Sequence, residues 1–487
     1  MNTTQHEKTK EVLKWFEEID KIPRCSKHEE KIAEWLSNWA KERGFEYKTD
    51  EVKNIVIKVP ATEGYENSPT AILQGHMDMV CEKTPDSTHD FTKDPIKFVF
   101  EDGWLTADNT TLGADNGIAI AMALAIADDK SIKHPPLELL FTVDEETGLT
   151  GANFLEPGFI EGKILINVDS EDEGVFTVGC AGGINTNMDL PLEYESVPSG
   201  YNSFKVEAGG MKGGHSGIDI AIGKANAIKV LARALDYIIV QDIDLRISTI
   251  KGGSAHNAIP RDAEATIYIS GSDSDKVKNI LNDIESLIKI EFKNTDPDLF
   301  ISMNENKETS LSEVMTSTST RNAIDFLFAL PHGVFAMSTD IKDLVETSNN
   351  LANIKIENNS LKILTSQRSS IISRLDALTN SIEAISRLAG AAVESGEGYP
   401  PWQPNMESPL LKRSTELYER MFNKKPIVEV IHAGLECGII GDKYPGMDMI
   451  SIGPTIKYPH SPDEKIKVDT IGMVWDFMLQ LLEELNS

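Results

Sequence analysis

Imidazole and carboxylate side chains recur in this chain just beyond short apolar runs. His76 and Asp78 form an H-x-D pair past the apolar segment Ala71–Gln74, and Asp115 stands in ADNG, directly before a stretch of small apolar residues. Glu145 and Glu146 follow Leu137–Val143, Asp169 follows Ile164–Val168, and His460 lies beyond residues 447–452. Nitrogen and oxygen donors of this kind suit zinc, or a harder ion such as manganese or cobalt. His76, Asp115, Glu146, Asp169 and His460 are too many donors for one tetrahedral catalytic zinc, which takes three protein ligands and a water. They are the right number for two ions if one carboxylate bridges. Asp115, placed between the flanking ligand segments, is the natural bridge. Two ions about 3.5–4 Å apart can share a water, lower its pKa and clamp a reacting oxygen.

Each position also has a plainer reading. H-x-D fits a loop cap. Glu145–Glu146 fits a solvated strand end, Asp169 an acidic surface turn, and His460, between two prolines, a rigid loop. Asp115 fits a helix N-cap. It is the joint occurrence, in this order and at strand ends, that argues for a site.

The elements that must carry these residues alternate. Val12, Leu13, Phe16 and Ile19, then Ile32, Trp35, Leu36 and Trp39, recur at helical spacing, and Gly44 closes the second helix. Residues 54–60, 71–74, 137–143 and 164–168 read as strands, and 117–127 as a helix buried against a sheet. Such alternation indicates an α/β layer structure, in which ligands bind beyond the carboxyl ends of the strands. From about Gly182 the order becomes β-α-β-β-α-β, the ferredoxin-like pattern. A helix at 320–330, two strands within 342–366 and a helix at 373–394 suggest a second such half, without a sequence repeat. Residues 397–407 (EGYPPWQPNME) read as a linker, after which the α/β style resumes. The expected organisation is an α/β catalytic domain with a mixed sheet, built from 1–185 and 398–487, with an inserted α+β lid, ferredoxin-like and doubled, at 186–397.

Composition narrows the function. The 487 residues include 47 Lys and Arg against 77 Asp and Glu, a net charge of -30. That surface repels phosphate backbones and anionic membranes, so neither nucleic acid nor membrane is an expected partner. No apolar run reaches the ~18 residues of a membrane helix, and the polar, acidic opening lacks a signal-peptide core. The four cysteines are scattered. They suggest neither a disulfide framework nor a thiolate zinc site, and a reducing cytoplasm is the expected compartment.

A set of segments, taken in order, carries a family resemblance: IPRCSKHEEKI at 22–32, LQGHMDMV at 73–80, TLGADNGIAIAMALAI at 111–126, DEETGLTGA at 144–152, INVDSEDEG at 166–174 and GCAGG at 179–183. It continues with GGHSGIDI at 213–220, GGSAHNAIPRDA at 252–263, SQRSS at 366–370, HAGLECG at 432–438 and IGPTIKYPHSPDE at 452–464. The chain resembles the superfamily of dinuclear-zinc aminopeptidases, carboxypeptidases and aminoacylases. Within it, the chain looks most like the bacterial cytosolic aminoacyl-histidine (Xaa-His) dipeptidases. Cys25 and Lys27 depart from the smaller turn residues expected in the first segment, which carries no chemistry.

The resemblance implies roles. His76, Asp115 and Asp169 would hold one divalent ion, and Asp115, Glu146 and His460 the other. Asp78 would take the second ring N–H of His76. Glu145 would be the general base of dipeptide hydrolysis. In the lid, His215 would contact the substrate carbonyl oxygen, Asn257 the substrate backbone and Arg368 its free carboxylate, while Gly434 would let the substrate approach closely. His432, Glu436 and His256 are near-site residues without a role, and His89, His134 and His332 read as ordinary loop or surface histidines. A homodimer is compatible with the family, and whether His215 serves its own chain or a partner's stays open. An N-acyl amino-acid deacylase with the same centre is the alternative enzyme, and a non-catalytic peptide-binding homologue the alternative class.

Overall fold

The computed structural model describes residues 5–306, 312–339 and 341–486. The chain divides into two units. The first runs to Cys180 and resumes at Trp402–Val430 and from Leu435; the second comprises Ala181–Pro401 and Ile431–Gly434.

The first unit is built on an eight-stranded sheet. Its order is Glu46–Thr49, Ile55–Val59, Leu137–Thr142, Ala71–His76, Ile164–Asn167, Asp448–Ser451, Val175–Cys180 and Ile427–Ile431. The central strands Leu137–Thr142, Ala71–His76, Ile164–Asn167 and Asp448–Ser451 are mutually parallel, while Glu46–Thr49 with Ile55–Val59, Ile55–Val59 with Leu137–Thr142, and Asp448–Ser451 with Val175–Cys180 pair antiparallel. Parallel strands are covered on both faces, which is why Ala71–His76 and Leu137–Thr142 are buried at every position rather than alternating. The helix Ala114–Asp128 fits against them through small side chains, and every residue from Asn116 to Ala127 is buried. Its first turn is irregular: Asp115 (ψ 104°) and Asn116 (ψ 29°) are not helical.

The second unit holds one continuous nine-stranded sheet. Tyr201–Gly209, Arg246–Gly252, Ala263–Ser270 and Phe300–Glu305, with helices Ala227–Ile239 and Ser274–Glu291, form the expected β-α-β-β-α-β half. Asn226 caps the first of these helices, accepting from the backbone of Ile228 and Lys229.

The other half uses Gly182–Pro191, Val345–Glu357, Ser360–Ser369 and Ala392–Ser395, with helices Ser317–Ala329 and Ile372–Ala389. Its first strand, at 182–191, precedes the whole of the first half, so one half is inserted within the other. Across the sheet the strands run 4-1-3-2 in one half and 2-3-1-4 in the other, joined where Gly252 pairs with Ile354. The expected helix to 394 stops earlier: Gly390 adopts φ 80° and closes it, freeing Ala392–Ser395 to pair with Gly182–Pro191. The 397–407 segment is less free than a linker, since Tyr399 bridges to Gly183 and Trp402 to Cys180.

One expectation is corrected by the cysteines. Cys25 and Cys81 are joined in a disulfide, with Cα atoms 5.6 Å apart, while Cys180 and Cys437 are buried thiols outside any disulfide. The sequence separation of 56 between the bonded pair hid the partnership from any spacing rule. His134 is also not a surface histidine; it is 3% exposed, and its ring faces the carbonyl of Pro135.

Candidate metal centre

Four parallel strands deliver the chemistry to one edge. His76 ends its strand, Glu145 follows Leu137–Thr142, Asp169 follows Ile164–Asn167, and the loop after Asp448–Ser451 brings in His460. Asp115 enters from the irregular first turn of the buried helix.

The side chains converge on Asp115. Its Oδ1 lies 3.0 Å from His76 Nε2, and its Oδ2 lies 3.1 Å from His460 Nε2. Asp169 Oδ1 is 3.5 Å from His76 Nε2, and Glu146 Oε2 is 2.9 Å from His460 Nε2. Two overlapping donor sets result, His76–Asp115–Asp169 and Asp115–Glu146–His460, each with its ligand atoms within 4.8 Å of one another. His76 also groups with Glu145 and Glu146 in the same way.

Electrostatics show what the site demands. Burial opposes a charge on His76, but the carboxylates of Asp169, Asp115 and Asp78 outweigh it and raise its pKa well above the ordinary value. The same balance, with Asp115 and Glu146 as partners, lifts His460 to about 11. Burial would raise Asp115, yet the two imidazoles hold it below the usual carboxylate range. Glu145 is raised strongly, by burial first and then by the charges of Asp169, Glu146 and Glu436. Burial and neighbouring carboxylates raise Glu146 and Asp169 as well. The two raised imidazoles stand between carboxylates, a setting that favours positive charge.

The donors fit a pair of divalent ions on a further ground. Glu146 Oε1 is buried with no hydrogen-bond partner among the described residues, an expensive state for a carboxylate oxygen unless a cation faces it. A fourth acidic group, Glu29–Asp78–Asp144, is different. Its oxygens already accept from the backbone of Lys27, Asp144, Glu145 and Glu146 and from the hydroxyls of Ser26, Thr147 and Thr150.

Supporting side chains hold the ligand loops. The His76 Nδ1 faces both the carbonyl of Asp78, at 3.1 Å, and its carboxylate, at 3.3 Å. Arg24 is fully buried. It pairs with Asp20 and donates to the carbonyls of Met77, Asp78 and Gly113, so the early IPR segment braces the loops of His76 and Asp115. Gly113 sits at φ 73°, and a Cβ there would meet Arg24 Nη2 at 2.5 Å. Glu436 accepts from Gln74 (2.6 Å) and Thr142 (2.7 Å), and Gln74 in turn accepts from Asn167 (2.6 Å). This layer ties the three ligand-bearing strands together beneath the site. Arg24 and Glu436 carried no local signal of these bonds, since the carbonyls of Met77, Asp78 and Gly113 and the side chains of Gln74 and Thr142 lie far from them in sequence.

The remaining sequence candidates lie in the second unit. Gly214–His215 pairs with Ala258–Ile259, and Ser216 N–H donates to the carbonyl of Asn257. Arg368 donates to the Tyr399 hydroxyl at 2.9 Å, and a Cβ on Gly434 would lie 2.8 Å from the same ring. His432 bonds Ser348 at 2.7 Å; burial, with the positive charges of Arg368 and His215, lowers its pKa to about 3. Arg368 is 6% exposed, its Nε has no partner, and it makes no ion pair among the described residues.

The chain has relatives among known proteins. The model of peptidase family M20/M25/M40 matches residues 72–484. A cytosol non-specific dipeptidase of Escherichia coli (strain K12) is 43% identical over 472 residues, covering 97% of each chain. The crystal structure of aminoacylhistidine dipeptidase from Vibrio alginolyticus superposes with a TM-score of 0.87 at 42% identity, covering 97% of this chain and 96% of that one. The aminopeptidase PepT of Bacillus cereus ATCC 10987, at 17% identity and a TM-score of 0.57 over 98% of this chain and 99% of its own, shares the fold.

Proposed function

This chain belongs to peptidase family M20/M25/M40, and from that premise we propose how it works as a metallo-dipeptidase. The observation that carries the reading is the carboxylate of Asp115, whose two oxygens face different histidines. His76, Asp115 and Asp169 hold one divalent ion; Asp115, Glu146 and His460 hold the other, and zinc is the ion these donors suit best. When bound, the ions supply Lewis-acid polarisation of the scissile carbonyl and a more acidic water.

The chain's own residues do the rest. Glu145 takes a proton from the attacking water and delivers it to the leaving amine. Its raised proton affinity suits a group that must accept and then return that proton. Asp78 fixes the ring of His76. Arg368 grips the free carboxylate of the dipeptide; a buried guanidinium with no acidic partner among the described residues supports this role. His215 contacts the substrate carbonyl oxygen, Asn257 binds the substrate backbone, and Gly434 leaves room for it.

The cytoplasm is the proposed compartment. Among the described residues, no helix is long and apolar enough to cross a membrane, and the E. coli relative is named as cytosolic. The homodimer suggested by the family is read by light scattering.

Elemental analysis of purified protein, followed by an Xaa-His dipeptide panel beside N-acetyl amino acids, tests the reading. Two ions per chain with dipeptide turnover support it. Turnover of acyl amino acids alone points to a deacylase, and two ions without turnover to a binding protein.

A further inference from the structure

Asp115 and His460 meet although they stand 345 positions apart in the sequence. The local chain of neither explains the meeting. His460 lies on the loop between strand Asp448–Ser451 and helix Val468–Glu484, exposed along half of its side chain. The link is Glu464, four residues further along that loop.

Glu464 is 2% exposed, and both of its carboxylate oxygens are spent on the turn that carries Asp115. Oε2 accepts from the backbone of Leu112 at 2.7 Å and Gly113 at 2.9 Å; Oε1 accepts from Ala114 at 2.8 Å and Asp115 at 3.3 Å. These are the orphan amides at the start of a helix, and an anion is what satisfies them. The backbone of Glu464 is pinned as well. Its N–H donates to Ser461, its carbonyl accepts from Thr106, and the following strand Lys465–Lys467 pairs with Trp104–Ala107.

His76 and Asp169, which share Asp115 with the first set, have an anchor of their own. Asn116 accepts from the backbone N–H of His76 at 3.2 Å and donates to the carbonyl of Val168, just before Asp169, at 2.6 Å. One buried amide therefore ties His76 to Asp169, and one buried carboxylate ties His460 to Asp115.

We propose that Glu464 is the positioning residue that couples Asp115 to His460 and so sets the place of the ion those two share, more than that of the ion held with His76 and Asp169. This rests on the two-ion reading above. Without the Glu464 carboxylate, the 112–115 turn loses its acceptor and the 458–464 loop its hold on that turn. His76 and Asp169 keep Asn116.

Metal-free protein titrated with Mn2+ tests this, with calorimetry for the binding steps and electron paramagnetic resonance for spin coupling between the two ions. Wild type is compared with Glu464→Gln, which keeps the volume but turns an NH2 toward amides that need an acceptor, and with Glu464→Ala. Circular dichroism checks the fold. If the alanine variant does not fold, the glutamine variant decides. In the variants one binding step weakens by about 10- to 100-fold, the other changes by less than about threefold, and the coupled signal gives way to that of an isolated ion. A lowered melting temperature with both steps as in wild type would reduce Glu464 to a structural role and overturn the proposal, as would equal weakening of both steps. Wild type that binds fewer than two ions would overturn the two-ion reading together with it.

Discussion

The carboxylate of Asp78 accepts the backbone N–H of Glu145 at 3.0 Å. Its second oxygen accepts from Glu146 at 3.3 Å and from the Ser26 hydroxyl at 2.8 Å, and the ring of His76 faces the same group. One buried side chain thus sets the strand end of His76 and the turn that carries both glutamates. Asp78→Ala releases all of them. Metal affinity and kcat should both fall about 10- to 100-fold. A variant that keeps its ions and loses only catalysis would show that Asp78 acts on the Glu145 turn alone.

Glu145 contributes a proton transfer, and no metal contact is assigned to it. Glu145→Gln should lower kcat by about 10²- to 10⁴-fold while elemental analysis still finds two ions. Loss of an ion in this variant would mean that Glu145 is a ligand.

Protons and ions compete for the same imidazoles. In the metal-free protein His460 is raised to about 11, so it is protonated at neutral pH, and the carboxylates of Asp169, Asp115 and Asp78 raise His76 too. A raised histidine pKa stabilises the metal-free fold most fully below its unfolded value, near 6.5. That contribution is lost as pH climbs through about 11. Ion binding must displace the proton on His460. Apparent affinity should therefore rise with pH, by up to about tenfold per unit for each proton displaced. Calorimetry in buffers of different ionisation enthalpy measures the release, and its absence would refute the competition.

Arg368→Ala should raise KM for dipeptides by about 10- to 100-fold, the worth of hydrogen bonds to a charged group, with a smaller effect on kcat. Dipeptide amides, which lack the carboxylate, should not distinguish variant from wild type. Equal KM values on free dipeptides would remove Arg368 from substrate binding.

Cys25 and Cys81 close a loop with a sequence separation of 56, for which loop-closure entropy gives about 4 kcal/mol. Denatured protein alkylated without reductant should be labelled at Cys180 and Cys437 only, and reduction should lower the melting temperature. Labelling of all four thiols before reduction would mean the pair is open in the isolated protein. A reducing cytoplasm would favour that open form.

The strands Ala71–His76, Leu137–Thr142 and Ile164–Asn167 and the helix against them were legible because apolar runs of strand length, bounded by polar turns, state their burial locally. The donors were legible by type, since only a few side chains bind divalent ions and all stood just past such runs. The first ferredoxin-like half could be read for the same reason. Its nesting inside the second could not, because Gly182–Pro191 pairs with strands more than a hundred residues later and nothing in its own sequence says so. Glu464 looked like one more acid in a loop, and Arg24 like part of a segment without chemistry. Their work lies in bonds to backbone groups, which any residue presents and which leave no mark on the partner's identity. Residue chemistry and periodicity are local properties and were set by the order of amino acids. Which buried charge meets which amide depends on how distant loops arrive at one sheet edge, and that only the tertiary structure decided.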